Sequence, residues 1–151
     1  MSPPGFVVVP ASYVYLLRDG TGPQVLLQRR QNTGYMDGHW AAAAAGHVER
    51  GETAYEAARR EALEELGVNG LDLRFEFTMQ RTQHDEPIDE RVDFFFTARR
   101  WNGEPRILEP EKCAELRWCP LDALPHPVVP HEASALAALG TGEAYLTFGF
   151  E

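Results

Sequence analysis

The chain reads as an α/β or α+β protein built on a mixed sheet with a few helices. Three observations predict this. Apolar runs separated by turn-forming clusters fill the N-terminal third. One strongly helical segment follows over 53–66. Beyond it, further strand candidates alternate with polar loops and lead to a short closing helix. The 151 residues, 44% hydrophobic and 25% charged, suit one soluble domain over residues 1–151 with a sizeable core.

Tyr13 to Leu17 and Gln24 to Gln28 flank the turn cluster Asp19-Gly20-Thr21-Gly22-Pro23, which predicts a hairpin. Arg29 and Arg30 end its second strand, and the Gly- and Asn-rich stretch "QNTGYMDGHW" then reads as a loop. Its Tyr35 and Trp40 are candidates for a binding wall, unless they pack the loop onto the core. Thr53 and Glu56 form a T-x-x-E capping box and Gly67 stands where a left-handed cap ends a helix. Strands are expected at 71–81, 92–100 and 115–119, and a helix at 131–139 after a proline-punctuated stretch. Phe94 and Phe96 fall on one face of their strand and Phe95 on the other.

The balance of 23 acidic against 14 basic residues, a net charge of -9, argues against binding long nucleic acids. A small phosphorylated ligand would then need local neutralisation by a divalent cation or converging arginines. No apolar run approaches the roughly 20 residues of a membrane span, and no signal peptide is evident, so a cytoplasmic location is expected. Cys113 and Cys119 match no metal or redox spacing and read as reduced thiols.

On the helix, Glu61, Glu64 and Glu65 share an arc of about 100° with Ala54 and Ala57, while Tyr55, Ala58, Ala62, Leu63 and Leu66 take the opposite arc. Like charges at this spacing repel by roughly 0.2 to 0.5 kcal/mol per pair. The cluster is either a solvated face tempered by Arg60 or a set of oxygen ligands for Mg²⁺.

The flanks separate those readings. Gly46, Glu52, Arg60-Glu61, Glu64-Glu65 and Gly67-Val68 fit G-x5-E-x7-R-E-U-x-E-E-x-G-U, with U a bulky apolar residue. This resembles the signature box of the Nudix hydrolases. Every glycine and charged position is matched; Ala62 is smaller than the usual apolar residue. Fainter likeness extends to "LLQRR" and "RRWNGEP".

The resemblance implies an α/β/α sandwich around a mixed sheet, and Mg²⁺- or Mn²⁺-dependent hydrolysis of a nucleoside diphosphate linked to another moiety. It implies metal coordination by Glu61, Glu64, Glu65 and the Gly46 carbonyl, and a supporting ion pair between Glu52 and Arg60. Some relatives draw a base from the box and others from a late loop, where Glu109 is the first candidate and Glu111 and Glu115 follow. Arg30 resembles a substrate-contacting arginine; the alternative is a surface arginine covering apolar strand. Homodimers are common in the family. Ala43-Ala44-Ala45 replaces the apolar-Pro-Gly-Gly run that often precedes Gly46, so the loop is expected to take a different path.

Secondary markers for ADP-ribose, dinucleoside polyphosphates and coenzyme A are absent, and so is an asparagine near Pro125 to Pro130 like that reading oxidised guanine. Elimination leaves a nucleoside triphosphate pyrophosphohydrolase. The alternatives are a nucleotide-sugar or ADP-ribose hydrolase and a non-catalytic binding domain. Phe94, Phe96 and Trp118 join Tyr35 and Trp40 as aromatics able to stack on a base or fill the core.

Overall fold

The computed structural model describes residues 5–150. Its framework is β1 (Val9–Gly20), which turns at Thr21 into β2 (Gly22–Arg30), so the expected hairpin is present and tighter than the turn cluster suggested. β3 (Trp40–Ala42), β4 (Ala44–His47), α1 (Ala54–Leu66), β5 (Arg74–Arg81), β6 (Arg91–Ala98), β7 (Cys113–Pro120), α2 (Pro130–Ala138) and β8 (Tyr145–Phe148) follow. A single 3-10 turn at Pro87–Asp89 precedes β6.

Among the described residues the strands form one mixed sheet of eight. β1 runs parallel to β6 along most of its length and antiparallel to β4 and β2. β5 is antiparallel to β6 and parallel to β8, while β3 and β7 flank β2. β3, β4 and β8 have no counterpart among the expected strands. The first two lie in the alanine run, where small side chains carry little β preference and tertiary pairing decides.

Strand alternation sorts the core into two layers. Tyr13, Tyr15, Leu17, Phe77, Met79 and Phe95 pack on the α2 face with Ala135 and Leu136. Val14, Leu16, Phe96 and Ala98 pack on the α1 face with Ala58, Ala62 and Leu66. The result is the expected sandwich, with Phe95 and Phe96 on opposite sides. Small residues on α1 let its backbone lie close to the sheet, and the Ser12 hydroxyl donates to the Ala54 carbonyl at 2.8 Å.

The buried wedge of α1 is rotated from the expected one. Ala57 is buried, whereas Tyr55 and Leu63 are 45% and 50% exposed. Tyr55 still sets its ring edge-on to Phe96, with centroids 4.7 Å apart.

Phe95 is fully buried between Tyr13, 4.7 Å away by ring centroids, and Phe77 at 5.1 Å. Phe95→Ala is expected to cost about 3 to 5 kcal/mol, read as a lower urea midpoint at unchanged slope.

Candidate functional site

α1 begins with Thr53 accepting from the Glu56 N–H at 3.1 Å, while the Glu56 carboxylate accepts from the Thr53 N–H at 2.8 Å. Gly67, at φ 72°, closes the other end. Both ends of the acidic segment are thereby fixed.

Arg60 organises the space between helix and loop. Its guanidinium donates to both oxygens of Glu52 at 2.7 and 3.1 Å and to the His47 carbonyl at 3.0 Å. Nη1 donates to Glu61 at 2.7 Å and to Glu64 at 3.4 Å. The Arg60 hydrogen bonds hold the Glu52 carboxyl below its ordinary pKa. The expected Glu52–Arg60 pair is therefore present as a bidentate contact.

The three box acids differ in environment. Glu61 is largely buried against Gly46, where an added Cβ would lie 2.2 Å from Glu61 Oε1. Burial raises its pKa, opposed by the Arg60 contact. Glu65 accepts from the Ala45 N–H at 2.8 Å, and burial pushes its pKa up to about 8, helped by the charges of Glu61, Glu109 and Glu64. Glu64 is the outermost, with 56% of its side chain exposed. Among the described residues no three His, Cys, Asp or Glu side chains gather into a ready-made ion cage. Glu61 and Glu65 each hold a hydrogen-bond donor instead.

Glu109 reaches the same cleft from the far end of the chain. The Arg106 and Leu108 N–H groups donate to the Leu66 and Glu65 carbonyls at 3.1 and 3.4 Å, stitching this loop to the open end of α1. Glu111 and Glu115 go elsewhere: neither lines the cleft, and Glu115 pairs with Arg117 at 2.9 Å. Arg30 donates to the Tyr35 carbonyl at 2.9 Å and to the Thr33 hydroxyl at 3.1 Å, with its guanidinium 5.5 Å from the Tyr35 ring.

Arg30, Glu65 and Glu109 line a cleft with two lobes, about 360 and 380 Å³, that share Gln28, Arg30 and Glu65, whereas Glu61 and Glu64 line neither lobe. Glu109, Lys112 and Cys113 line the first; Tyr35, Gly46, Arg81, His131 and Glu132 help to line the second. Trp40 corrects the expectation of a binding wall. It is 4% exposed, belongs to the core, and carries Arg117 over its ring at 4.5 Å. Phe94, Phe96 and Trp118 line neither lobe.

The second lobe is the part that sequence reasoning missed. Its floor is a buried polar network in which Arg81 pairs with Asp93 and donates to the Tyr13 hydroxyl at 3.1 Å. That hydroxyl also lies 3.1 Å from His131 Nε2. Partners more than a hundred positions apart, such as Tyr15 and Glu132, leave no spacing signal.

A family model described as the NUDIX domain matches residues 8–139. The chain belongs to the Nudix family. The Nudix chain is 33% identical over 114 residues to an isopentenyl-diphosphate Delta-isomerase of Jannaschia sp., covering 74% of this chain and 63% of that protein. It spans less than two thirds of the length of that relative and of two others, 56% of a Nudix hydrolase of Yersinia pestis and 60% of an isopentenyl-diphosphate Delta-isomerase of Rhodobacter capsulatus. An 8-oxo-dGTP diphosphatase of Buchnera aphidicola is 30% identical, with 68% of this chain and 79% of that protein covered. The crystal structure of a MutT NUDIX hydrolase from Burkholderia pseudomallei superposes at a TM-score of 0.76, with 27% identity over 88% of this chain and 98% of that one.

The buried acids set a pH dependence of stability. An unfolded glutamate titrates near 4.5, whereas folded Glu65 and Glu132 titrate near 8 and 7. Folding therefore retains protons that the unfolded chain releases, and stability falls as pH rises through that window. His131, held well below 6.5 by burial, acts oppositely only below about pH 6.5. In chelator, the thermal midpoint is expected to drop from pH 6.5 to 8.5, and Glu65→Gln should flatten that slope.

Proposed function

We propose that this Nudix chain is a pyrophosphohydrolase that cleaves a nucleoside or deoxynucleoside triphosphate to the monophosphate and pyrophosphate. The observation that carries the reading is the shared cleft, in which Glu65 of the box and Glu109 stand with Arg30 and Lys112. A polyphosphate needs both signs of charge: cations to hold its oxygens and acids to recruit a metal and move a proton.

Glu61, Glu64, Glu65 and the Gly46 carbonyl would hold a divalent cation, magnesium or manganese in its place. Gly46 supports the fit, since any side chain there would occupy the Glu61 carboxylate's position. Oxygen-only donors suit a hard cation, and Glu65 and Glu61, whose burial disfavours charge, gain most from one. When bound, the cation neutralises phosphate charge and lowers the pKa of water.

The chain's own residues supply the remainder. Arg60 holds the box loop on α1 through Glu52 and keeps Glu61 oriented. Arg30, braced by Tyr35 and Thr33, offers its remaining N–H groups to phosphate oxygens. Glu109 takes the proton as water adds to phosphorus and the bridging P–O bond breaks.

The relatives also include isopentenyl-diphosphate isomerases, and a diphosphate grip would serve either kind of ligand. The second lobe favours a nucleoside. Arg81, Arg91, Asp89, His131 and Glu132 line it beside the apolar Ala11, Ala45, Ile88 and Val129, and a hydrocarbon tail would strip water from the polar half without replacing a hydrogen bond. A nucleobase replaces those bonds. We place this activity in a single domain spanning 1–151, acting in the cytoplasm on small nucleotides.

With magnesium, a screen of triphosphates, nucleotide sugars and isoprenyl diphosphates should show turnover of a triphosphate, with pyrophosphate as product. Glu109→Gln is expected to lower kcat by about 10² to 10⁴. Glu64→Gln should raise the cation concentration giving half-maximal rate, and undiminished turnover in excess chelator would refute the metal assignment.

A further inference from the structure

Beyond the second lobe lies a smaller chamber of about 80 Å³. It shares Tyr35, Arg81, Gln83 and His131 with that lobe and no residue with the first, so the second lobe separates it from Glu109 and Lys112. Most of its wall surface is apolar, and Tyr35, Met36, Pro130 and Phe148 line it. Its polar neighbours are bonded elsewhere. Arg81 is committed to Asp93 and the Tyr13 hydroxyl, His131 Nε2 to the same hydroxyl, and Thr82 Oγ1 to Glu90 and the His84 N–H. A water inside the chamber finds few partners there, and an apolar group that displaces it gains affinity.

Two of the walls are held firmly in place. Met36 has a φ of 51°, a left-handed conformation that is costly for a bulky side chain and easy for glycine or asparagine. The turn around it enforces that conformation: the Asp37 carboxylate accepts from the Thr33 and Gly34 N–H groups at 3.1 and 3.0 Å, and the His39 N–H donates to the Met36 carbonyl at 3.1 Å. The methionine set there is half-buried at the chamber, and its unbranched thioether adapts to the shape it meets. Phe148 arrives from the opposite side, at the end of β8. The Thr82 N–H donates to its carbonyl at 3.1 Å. The next residue, Gly149 at φ 88°, lies so close to the chain leaving β5 that an added Cβ would stand 2.0 Å from the Thr82 carbonyl oxygen.

Resting on the nucleotide reading above, we propose that this chamber is a subsite for a small alkyl substituent on the nucleobase, carried on the edge of the base that faces away from the sugar. The size fits: about 80 Å³ lies between the roughly 30 Å³ share of one water and the roughly 150 Å³ cavity that holds benzene, which is room for about one to three carbons. The location fits as well. With the phosphates in the first lobe and the base in the second, the outer edge of the base is the part that reaches Met36 and Phe148. Tyr35 lines both the second lobe and the chamber, so one aromatic wall serves base and substituent together. That outer edge carries the amino group of adenine and the carbonyl of guanine, and the class of ligand is therefore an N6-alkyladenine or O6-alkylguanine nucleotide.

The first measurement needs no variant. The parent protein is compared on two matched series, adenosine triphosphate with its N6-methyl and N6-propyl derivatives and guanosine triphosphate with its O6-methyl and O6-propyl derivatives. One methylene in an apolar pocket is worth about 10- to 200-fold, so in at least one series kcat/KM should rise by about tenfold or more from the plain base to its best alkyl form. A rate that falls or stays level on substitution in both series overturns the proposal.

Met36→Ala and Phe148→Leu tie the effect to these walls, since each removes apolar surface without adding a polar group. In Met36→Ala the ratio of kcat/KM for the alkyl form to that for the plain base should fall about 3- to 10-fold. In Phe148→Leu the preferred chain should lengthen. A merely structural role lowers both substrates together and leaves the ratio where it was, and that result overturns the assignment. The parent series and Met36→Ala decide the matter even where Phe148→Leu does not fold. Calorimetric binding of the corresponding monophosphates, without turnover, separates the two levels of claim. Nucleotides that bind and are hydrolysed with no alkyl preference remove the subsite and leave the nucleotide reading standing. Neither binding nor hydrolysis of any nucleotide removes both.

Discussion

Four carboxylates, of Glu49, Glu52, Glu61 and Glu64, approach the Arg60 guanidinium at 3.6, 2.7, 2.7 and 3.4 Å. The surrounding geometry depends on that one cation. The same guanidinium also holds the His47 carbonyl, so it fixes the strand end, the loop and the helix together. Without it, Glu61 would be a largely buried charge beside three others, and breaking such a cluster costs far more than an exposed pair contributes. Arginine suits the position because its planar fork serves several acceptors at once, which a lysine ammonium does not.

The alanine run gives a second constraint. Ala41 to Ala44 are all buried, and they bring backbone close to acids arriving from opposite sides. The Ala45 N–H meets Glu65 from α1 and the Ala42 N–H meets Glu132 from α2. The Gln28 side chain donates to the Ala42 carbonyl at 2.9 Å, closing the gap between them. Larger side chains would hold both helices away. The run that departs from the common Pro-Gly-Gly pattern is thus paired strand on both sides of a bend at Ala43, and Gly46 leaves room for the Glu61 carboxylate.

Local signals were legible in the sequence and long-range ones were not. Thr53, Glu56 and Gly67 define α1 to the residue, because capping depends on neighbours a few positions apart. The hairpin and the split between Phe95 and Phe96 were readable for the same reason. β3, β4 and β8 escaped because their pairing is imposed by distant strands. Around α1, the cluster of acids and the pairing of Glu52 with Arg60 follow from fixed spacing; of these Glu65 lines the cleft, where Glu109 joins it from its loop. Trp40 was misjudged because an aromatic in a glycine-rich segment carries no mark of its partner, which here is a buried strand. Arg81, His131 and Glu132 come together only through the crossing of β1, β5 and α2.

Glu65 and Glu132 illustrate how one fold handles two buried acids without neutralising both in the same way. Each is raised by burial and lowered by one backbone N–H, yet their neighbours differ. Glu65 also faces Glu61, Glu64 and Glu109, so ionisation is opposed by accumulated negative charge that a cation relieves. Glu132 has a tyrosine hydroxyl on the same oxygen and the field of Arg30, which favour its charge without an ion. The first environment rewards a positive ligand. The second rewards a neutral hydrogen-bond donor. Gln28 and Arg30 lie between them, so a ligand whose phosphate end carries a divalent cation meets Glu65 with positive charge while its other end faces Glu132.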